Sequence, residues 1–486
     1  MNYRLTFRLI GHMLLIEALF MALPLIVSFI YGGNDYAAFL WSILILISAG
    51  TLLTMLKPHD EKTEPKAAFA AVGLSYLLFS LFGALPFYFS GCFNSFIDCV
   101  FESVSGLTTT GASILVNIEA LPKGILFWRS LSQWIGGLGI LMFILVAMPF
   151  LNASSANLLR AEVRAESTPS PDKVFHKIQG TIKILFQIYL AMTVLLIALL
   201  YIAGMPLYDS LIHAFSTAGT GGFSNMNASV AAYNNVAAEI IITVFMFLFG
   251  ISFTLYFFLL AKKFIKFIKD EELRLYFGVV VAAILIITFN ISGIYGGFAH
   301  ALRYSSFQVS SIITTTGLAT ADFNLWPTLS QTILVLLMIT GCCAGSTGGG
   351  LKLIRTLILL KAAKIQLGKI LNPGKAKSVF ISERKISDET TSKTSIFFFI
   401  YFAVFTVSVI IVSTDGKDII TSATAVFTSL SNVGPGLGAV GPAGNFTAFT
   451  PLSKIVLSFC MVAGRLEFFP LLILIAPSVW KRRLIK

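Results

Sequence analysis

The chain has 486 residues, 56% of them hydrophobic and only 12% charged, with a mean hydropathy of +0.85. So little charge excludes a soluble globular protein of this length, whose surface would need roughly a quarter of all residues charged. The formal net charge of +12 would suit nucleic acid, but the placement of the basic residues argues for a different partner, the lipid bilayer.

Apolar runs of about 20 residues, enough to cross a bilayer, predict ten helices near residues 9–30, 36–56, 67–90, 124–151, 181–204, 235–262, 275–292, 326–370 (interrupted), 395–413 and 452–480. The first follows Arg4 and Arg8 and superficially resembles a secretory signal. It is longer than a typical apolar signal core and no small-residue cleavage site follows, so a retained helix is expected. His12 and Glu17 within it read as packing or interfacial contacts. Basic clusters at the N-terminus, 57–66, 160–183, 262–274, 352–393 and 481–486 hold 29 of the 35 Lys and Arg. The alternate loops carry Asp35, Asp98, Glu119, Asp209, Asp322, Asp415 and Asp418. By the positive-inside rule the basic loops and both termini lie in the cytoplasm, and no nucleic-acid partner is expected. Trp128, Trp134, Trp326 and Trp480 are expected as interfacial anchors. The five cysteines show neither C-x-x-C nor His/Cys metal spacing, so neither a disulfide framework nor a zinc site is predicted.

After the first two helices the chain repeats one unit four times. Each unit has an apolar helix, a segment too short to span, a Thr/Gly-rich break and a second apolar helix. The short segments read DCVFESVSGLTTTGAS (98–113), DSLIHAFSTAGTGGFS (209–224), HALRYSSFQVSSIITTTGLA (300–319) and DIITSATAVFTSLSNVGPG (418–436). Alignment puts Gly111, Gly222, Gly317 and Gly434 in register, with Ser105, Ser216, Ser311 and Thr428 six positions earlier. The residues just before the glycines are Thr109-Thr110, Thr220-Gly221, Thr315-Thr316 and Asn432-Val433. The predicted organisation is an N-terminal helix pair over 1–66, then pore repeats over 67–160, 161–270, 271–385 and 386–486. Backbone that leaves the helix at membrane depth survives only inside protein or against a water-filled cavity. Four such breaks around a pseudo-fourfold axis would aim their carbonyls at a common centre, where they can replace the hydration shell of a monovalent cation. The short helices would add the partly negative ends of their dipoles. The competing reading takes each break as an interfacial loop with ordinary turn residues. Glu102 and His213, on the short helices, read as structural hydrogen-bonding groups in preference to ion ligands.

Two features fall below the aligned glycines. The third unit's second helix is interrupted at GCCAGSTGGGLK (341–352), where Gly341, Gly345 and Gly348–Gly350 cannot sustain a helix. A loop of Gly345, Ser346, Thr347, Gly348, Gly349 and Gly350 there could obstruct a pore; the phosphate-loop alternative lacks the G-x-x-x-x-G-K-[ST] spacing. Arg465 sits within the last apolar run, and an intramembrane arginine needs a partner or a cavity. It reads either as a structural pair with Glu467 or helix carbonyls, or as a group facing the pore that restrains the glycine loop and repels cations.

The motifs TTTGAS, STAGTGGFS, TTTGLAT and SNVGPG, with GSTGGGLKLIR and MVAGRLEFFP, resemble the Trk/Ktr/HKT superfamily of potassium transporters, and within it the bacterial TrkH branch, over essentially the whole chain. The resemblance implies an all-α membrane protein: two N-terminal helices plus four helix–pore-loop–helix repeats around a pseudo-fourfold ion pore. It also implies potassium uptake across the inner membrane, a homodimer with one pore per protomer, and a cytoplasmic nucleotide-binding regulator called TrkA. K⁺ is then the transported ion, any nucleotide belongs to the partner, and the chain itself carries no cofactor. The breaks depart from potassium-channel filters in having one aligned glycine each, so fewer ordered ion sites are expected. Channel-like flux and symport both stay open, as does a secondary transporter of another solute coupled to protons or sodium. A membrane enzyme would need a nucleophile–base pair or a metal cluster, which the five histidines do not suggest.

Overall fold

The computed structural model describes residues 3–56, 65–147, 171–371, 378–382 and 384–475. Most of the 57–66 cluster, the first part of the 160–183 loop, residues 372–377 and 383 of the 372–393 linker, the 481–486 cluster and Trp480 lie outside the described residues. Two helices, α1 (Tyr3–Ile30) and α2 (Tyr36–Thr54), precede four units with the same order of parts. The first unit runs through α3 (Pro65–Gly83), the short α4 (Leu85–Phe89), α5 (Phe96–Leu107) and α6 (Lys123–Ala147). The second comprises α7 (Pro171–Ile202), α8 (Leu207–Gly219), α9 (Val236–Phe249) and α10 (Phe253–Leu260), followed by α11 (Phe264–Ile268). The third has α12 (Glu271–Ile291), α13 (Phe298–Ile313), α14 (Thr328–Thr340) and α15 (Leu353–Leu371). A two-residue antiparallel pairing of β1 (Phe380–Ile381) with β2 (Arg384–Lys385) leads into the fourth, with α16 (Asp388–Val412), α17 (Ile419–Ser431), α18 (Pro451–Arg465) and α19 (Phe469–Ile475).

Local chemistry starts these helices where they start. Ser95 accepts the Ile97 N–H at α5, Asp270 the Leu273 N–H at α12 and Asp418 the Thr421 N–H at α17, each an N-cap. The Thr421 hydroxyl and N–H together hold the Asp418 carboxyl below its usual pKa. The short helices α5, α8, α13 and α17 are the most enclosed elements, with long runs of buried residues towards their C-termini. Each packs between the two helices of its own unit, and each also receives the second helix of the preceding unit. Thus α6 lies on α8, α9 on α13, α14 on α17 and α18 on α5, which closes the ring. Helix pair α1–α2 packs outside it, against α3, α4 and α6.

Among the described residues, six helices are long and apolar enough to cross a membrane: α1, α2, α3 continued by α4, α7, α12 and α16. Several second helices of the units are broken, and here the structure corrects the expectation. The predicted span 235–262 is not continuous: α9 and α10 meet at a 91° bend. Gly250 permits it, since a Cβ there would press on Thr314 and the Tyr276 hydroxyl. The bend frees carbonyls that lipid could not satisfy. Tyr276 donates to the Phe247 carbonyl (3.2 Å), Tyr256 to Leu248 (2.7 Å), Thr347 to Phe249 (3.4 Å) and the Cys343 N–H to Gly250 (3.1 Å). The predicted span 452–480 also breaks, because α18 ends at Arg465 and Glu467 and Phe468 both turn left-handed (φ 55° and 64°). Arg465 therefore stands at a helix C-terminus, where a cation complements the dipole, and not in mid-helix. Nor are three of the expected anchors interfacial. Trp128, Trp134 and Trp326 are buried in protein and donate to the Gly83 carbonyl, Thr193 and Tyr295 respectively.

The bend's dependence on hydrogen-bonding side chains is testable. Tyr276→Phe leaves the Phe247 carbonyl unpaired and is expected to cost about 1–3 kcal/mol. A lower Tm of the detergent-solubilised protein, absent from an exposed control such as Tyr88→Phe, is the result to look for.

Candidate functional site

The four short helices end in one motif. Two residues before each aligned glycine the backbone is left-handed, with φ of 55° at Thr109, 54° at Thr220, 58° at Thr315 and 55° at Asn432. The next N–H then bonds back to the residue six before the glycine: Thr110 to Ser105 (2.9 Å), Gly221 to Ser216 (2.8 Å), Thr316 to Ser311 (2.8 Å) and Val433 to Thr428 (2.9 Å). This is the Schellman closure of a helix C-terminus. The glycines themselves lie at φ 79°, 81°, 79° and 94°. Left-handed backbone is natural for glycine and tolerable for asparagine, but a β-branched threonine there is a true outlier. Such strain costs of order 1–3 kcal/mol per residue and collects at functional sites.

The breaks interlock without intervening side chains. A Cβ on Gly111 would strike the Gly221 carbonyl, one on Gly222 the Thr316 carbonyl, one on Gly317 the Val433 carbonyl and one on Gly434 the Thr110 carbonyl. Each glycine therefore seats the carbonyl of the next unit, and the fourth returns to the first. Among the described residues, the Thr110, Thr316 and Val433 carbonyls meet no donor; Gly221 accepts from Gln133 (2.7 Å). Carbonyls just beyond turn back to the helices: Ser216 donates to Phe223, Ser311 to Leu318 (2.6 Å) and Thr428 to Gly434 (2.7 Å). The inward-facing layer is thus short. All four glycines line the floor of a vestibule of about 240 Å³. Among the described residues no cluster of three or more His, Cys, Asp or Glu side chains could hold a metal, and the oxygens seated against the four glycines are backbone carbonyls. Donor-poor carbonyls of this kind suit a dehydrated monovalent cation.

The glycine loop lies against the opposite side of the ring. A Cβ on Gly348 would meet the Thr314 carbonyl, and one on Gly349 would meet the Ser431 carbonyl and Asn432. The Gly349 N–H donates to the Thr315 hydroxyl at 2.6 Å. Gly345 is left-handed (φ 75°) and its carbonyl accepts from Phe253 N–H at the α9–α10 bend (2.9 Å). Ser346 donates to the Cys343 carbonyl, and Gly350 (φ 75°) turns the chain towards Lys352, whose ammonium donates to the Gly348 carbonyl. Arg465 donates to the Thr347 carbonyl (2.7 Å) and to the Gly136 carbonyl of α6. It thereby ties the loop to the first unit. Glu467 pairs with Arg355 of α15, so the pairing of Arg465 with Glu467 is not what the structure contains.

Several neighbours of the ring escaped the sequence reading. Gln133 of α6 brackets Gly222, donating to the Gly221 carbonyl and accepting the Phe223 N–H (3.0 Å). Its amide fills the space a Cβ on residue 221 would need, which explains glycine here where units one and three have threonine. Arg129, fully buried on α6, pairs with Glu102 at 2.8 Å. An arginine inside an apolar run was the available signal. Glu102 and His213 both have the structural role expected: Glu102 binds Arg129, Ser113 and the Ile114 N–H, and His213 bridges the Asp209 carbonyl and Ser224. Glu17 is fully buried against Gly83, and neither carboxylate oxygen has a hydrogen-bond partner among the described residues.

The chain as a whole is similar to known proteins. A family model described as TrkH, cation transport protein, matches residues 36–482. The chain is 35% identical over 489 residues to the Trk system potassium uptake protein TrkH of Salmonella typhimurium, spanning 99% of this chain and 100% of that protein. The protein of the same name from Escherichia coli K12 is 35% identical over 492 residues with the same coverage. The crystal structure of the potassium transporter TrkH from Vibrio parahaemolyticus matches with a TM-score of 0.88 at 31% identity, over 99% of this chain and 100% of that one.

Proposed function

The chain belongs to the TrkH family of cation transport proteins, and from that premise we propose that it takes up potassium across the bacterial inner membrane through the ring at Gly111, Gly222, Gly317 and Gly434. The observation that carries the reading is the interlocking of four left-handed breaks, each seating the next unit's carbonyl. K⁺ sheds water at the vestibule floor and is met by backbone oxygens of Thr110, Gly221, Thr316 and Val433, with the residues at 109, 220, 315 and 432 forming the inner rim. Four short helices direct their partly negative C-termini at the same point. No catalytic step belongs to this reading; K⁺ is cargo, and a nucleotide is expected on the partner alone.

The glycine loop from Gly345 to Gly350 is the gate. It abuts the inner rim through Gly348 and Gly349, so an ion leaving the ring meets the loop before it meets the cytoplasm. Arg465 holds it closed through the Thr347 carbonyl and places a positive charge on the ion path. Opening follows when a cytoplasmic TrkA-type nucleotide-binding ring pulls on the basic face formed by 262–274 and the ends of α15 and α16. The functional unit is a homodimer with one pore per protomer and both termini in the cytoplasm. The four repeats divide at about residues 66, 160, 270 and 385.

Ion flux into proteoliposomes tests both parts. Gly317→Ser places a Cβ against the Val433 carbonyl and is expected to reduce the preference for K⁺ and Rb⁺ over Na⁺ by about tenfold, the effect of roughly 1.4 kcal/mol. Undiminished selectivity in a variant that still conducts would remove the ring from the ion path. Arg465→Ala loses a charge-assisted bond worth about 1.5–3 kcal/mol, so K⁺ flux without the regulator should rise roughly tenfold. Flux equal to that of the native chain would show that Arg465 does not hold the gate.

A further inference from the structure

In three of the four units the residue nine positions before the ring glycine bonds the strand that returns from the ring. In unit one it is Glu102, in unit two His213 and in unit three Gln308, which donates to the Ala321 carbonyl (3.0 Å). In unit four it is Ala425, and the neighbouring Thr424 exchanges bonds with Leu437 instead. Every unit thus braces its own return strand, with unequal chemistry. Arg129 does something more. Its guanidinium bonds Glu102 (2.8 Å) and the Ser113 hydroxyl (3.2 Å) of unit one, and also the Ser224 carbonyl of unit two (3.1 Å), while lying over the Phe223 ring at 4.1 Å. Ser113 and Ser224 each stand two residues beyond their ring glycine. Arg129 also lines the vestibule above those glycines.

We propose that Arg129 is a positioning residue for ion discrimination: neutralised by Glu102, it clamps the outer ends of the first two breaks and so sets the width of the ring between Gly111 and Gly222. The inference rests on the reading of the ring as the ion filter. A fully desolvated guanidinium is costly unless paired and hydrogen-bonded, and here every bond it makes is to Glu102 or to the two strands it joins. The pairing also has an electrostatic consequence. An unneutralised guanidinium beside the vestibule would repel an entering cation, whereas an unneutralised carboxylate would attract one.

The two single variants therefore break the same clamp with opposite charge. Rb⁺ uptake into proteoliposomes, measured against rising Na⁺, is the assay, with Glu102→Gln, Arg129→Gln, the double variant and Ser113→Ala. Both singles and the double are expected to lose discrimination against Na⁺ by roughly fivefold or more, the change that about 1 kcal/mol produces. The apparent KM for Rb⁺ should rise in Glu102→Gln, fall in Arg129→Gln and return towards native in the double. Ser113→Ala keeps the ion pair, is the mildest change, and should show a smaller loss of discrimination if the others fail to fold. A native chain that does not discriminate would defeat the filter reading itself. A selective native chain whose folded variants, Ser113→Ala included, discriminate equally well would defeat the clamp alone, as would KM shifts of the same sign in both singles.

Discussion

Nothing in hydrocarbon replaces water as a partner for backbone N–H and C=O groups, so a chain that leaves the helix at membrane depth must enclose what it exposes. This chain leaves the helix repeatedly beside its apolar helices: at four breaks, at the α9–α10 bend and at the glycine loop. The architecture follows from satisfying those groups. The four breaks are buried against one another, each glycine accepting its neighbour's carbonyl where any side chain would collide. The bend and the loop satisfy each other, the loop's Cys343 N–H and Thr347 hydroxyl reaching carbonyls freed at the bend. Among the described residues, the Thr110, Thr316 and Val433 carbonyls are left without donors, each seated against the ring glycine of the neighbouring unit.

The ring is fourfold in backbone and not in side chains, and the differences have local causes. Gly221 replaces threonine because Gln133 from the preceding unit occupies the space. Asn432 replaces threonine at a left-handed position, where asparagine is the easier occupant. Its amide then donates to the Thr110 hydroxyl and the Met461 carbonyl, joining the fourth unit to the first. The copy that departs furthest in sequence has the same backbone as the other three. Strain at Thr109, Thr220 and Thr315 is held by the buried C-terminal turns of the short helices behind them.

How much of this was legible in the sequence depended on whether the signal was local and repeated. The helix pair, the four units and the register of Gly111, Gly222, Gly317 and Gly434 were legible because four copies confirm one another. The glycine loop was legible because five glycines within ten residues cannot continue a helix. The bend at Gly250 was not, since GIS within a long apolar run looks like ordinary helix; only packing against Tyr276 and the loop requires the turn. The end of α18 at Arg465 was missed for a similar reason, as Leu466 to Phe468 break the helix with no glycine or proline. Arg129 carries the same sequence signal as Arg465, a charge inside an apolar run. Trp128 and Trp134 differ in the other direction, because a tryptophan in an apolar run has the same sequence signature at a lipid interface as under neighbouring helices, and here helices cover both.

The central claim is that backbone carbonyls at the interlocked glycines hold the transported cation. Crystals grown with Rb⁺ in place of K⁺, measured for anomalous scattering, test it most directly. The account predicts a peak on the ring axis within coordinating distance of the Thr110, Gly221, Thr316 and Val433 carbonyls, lost when Gly317 is replaced by serine. Rb⁺ ordered elsewhere among the helices, with an empty ring axis, would contradict it.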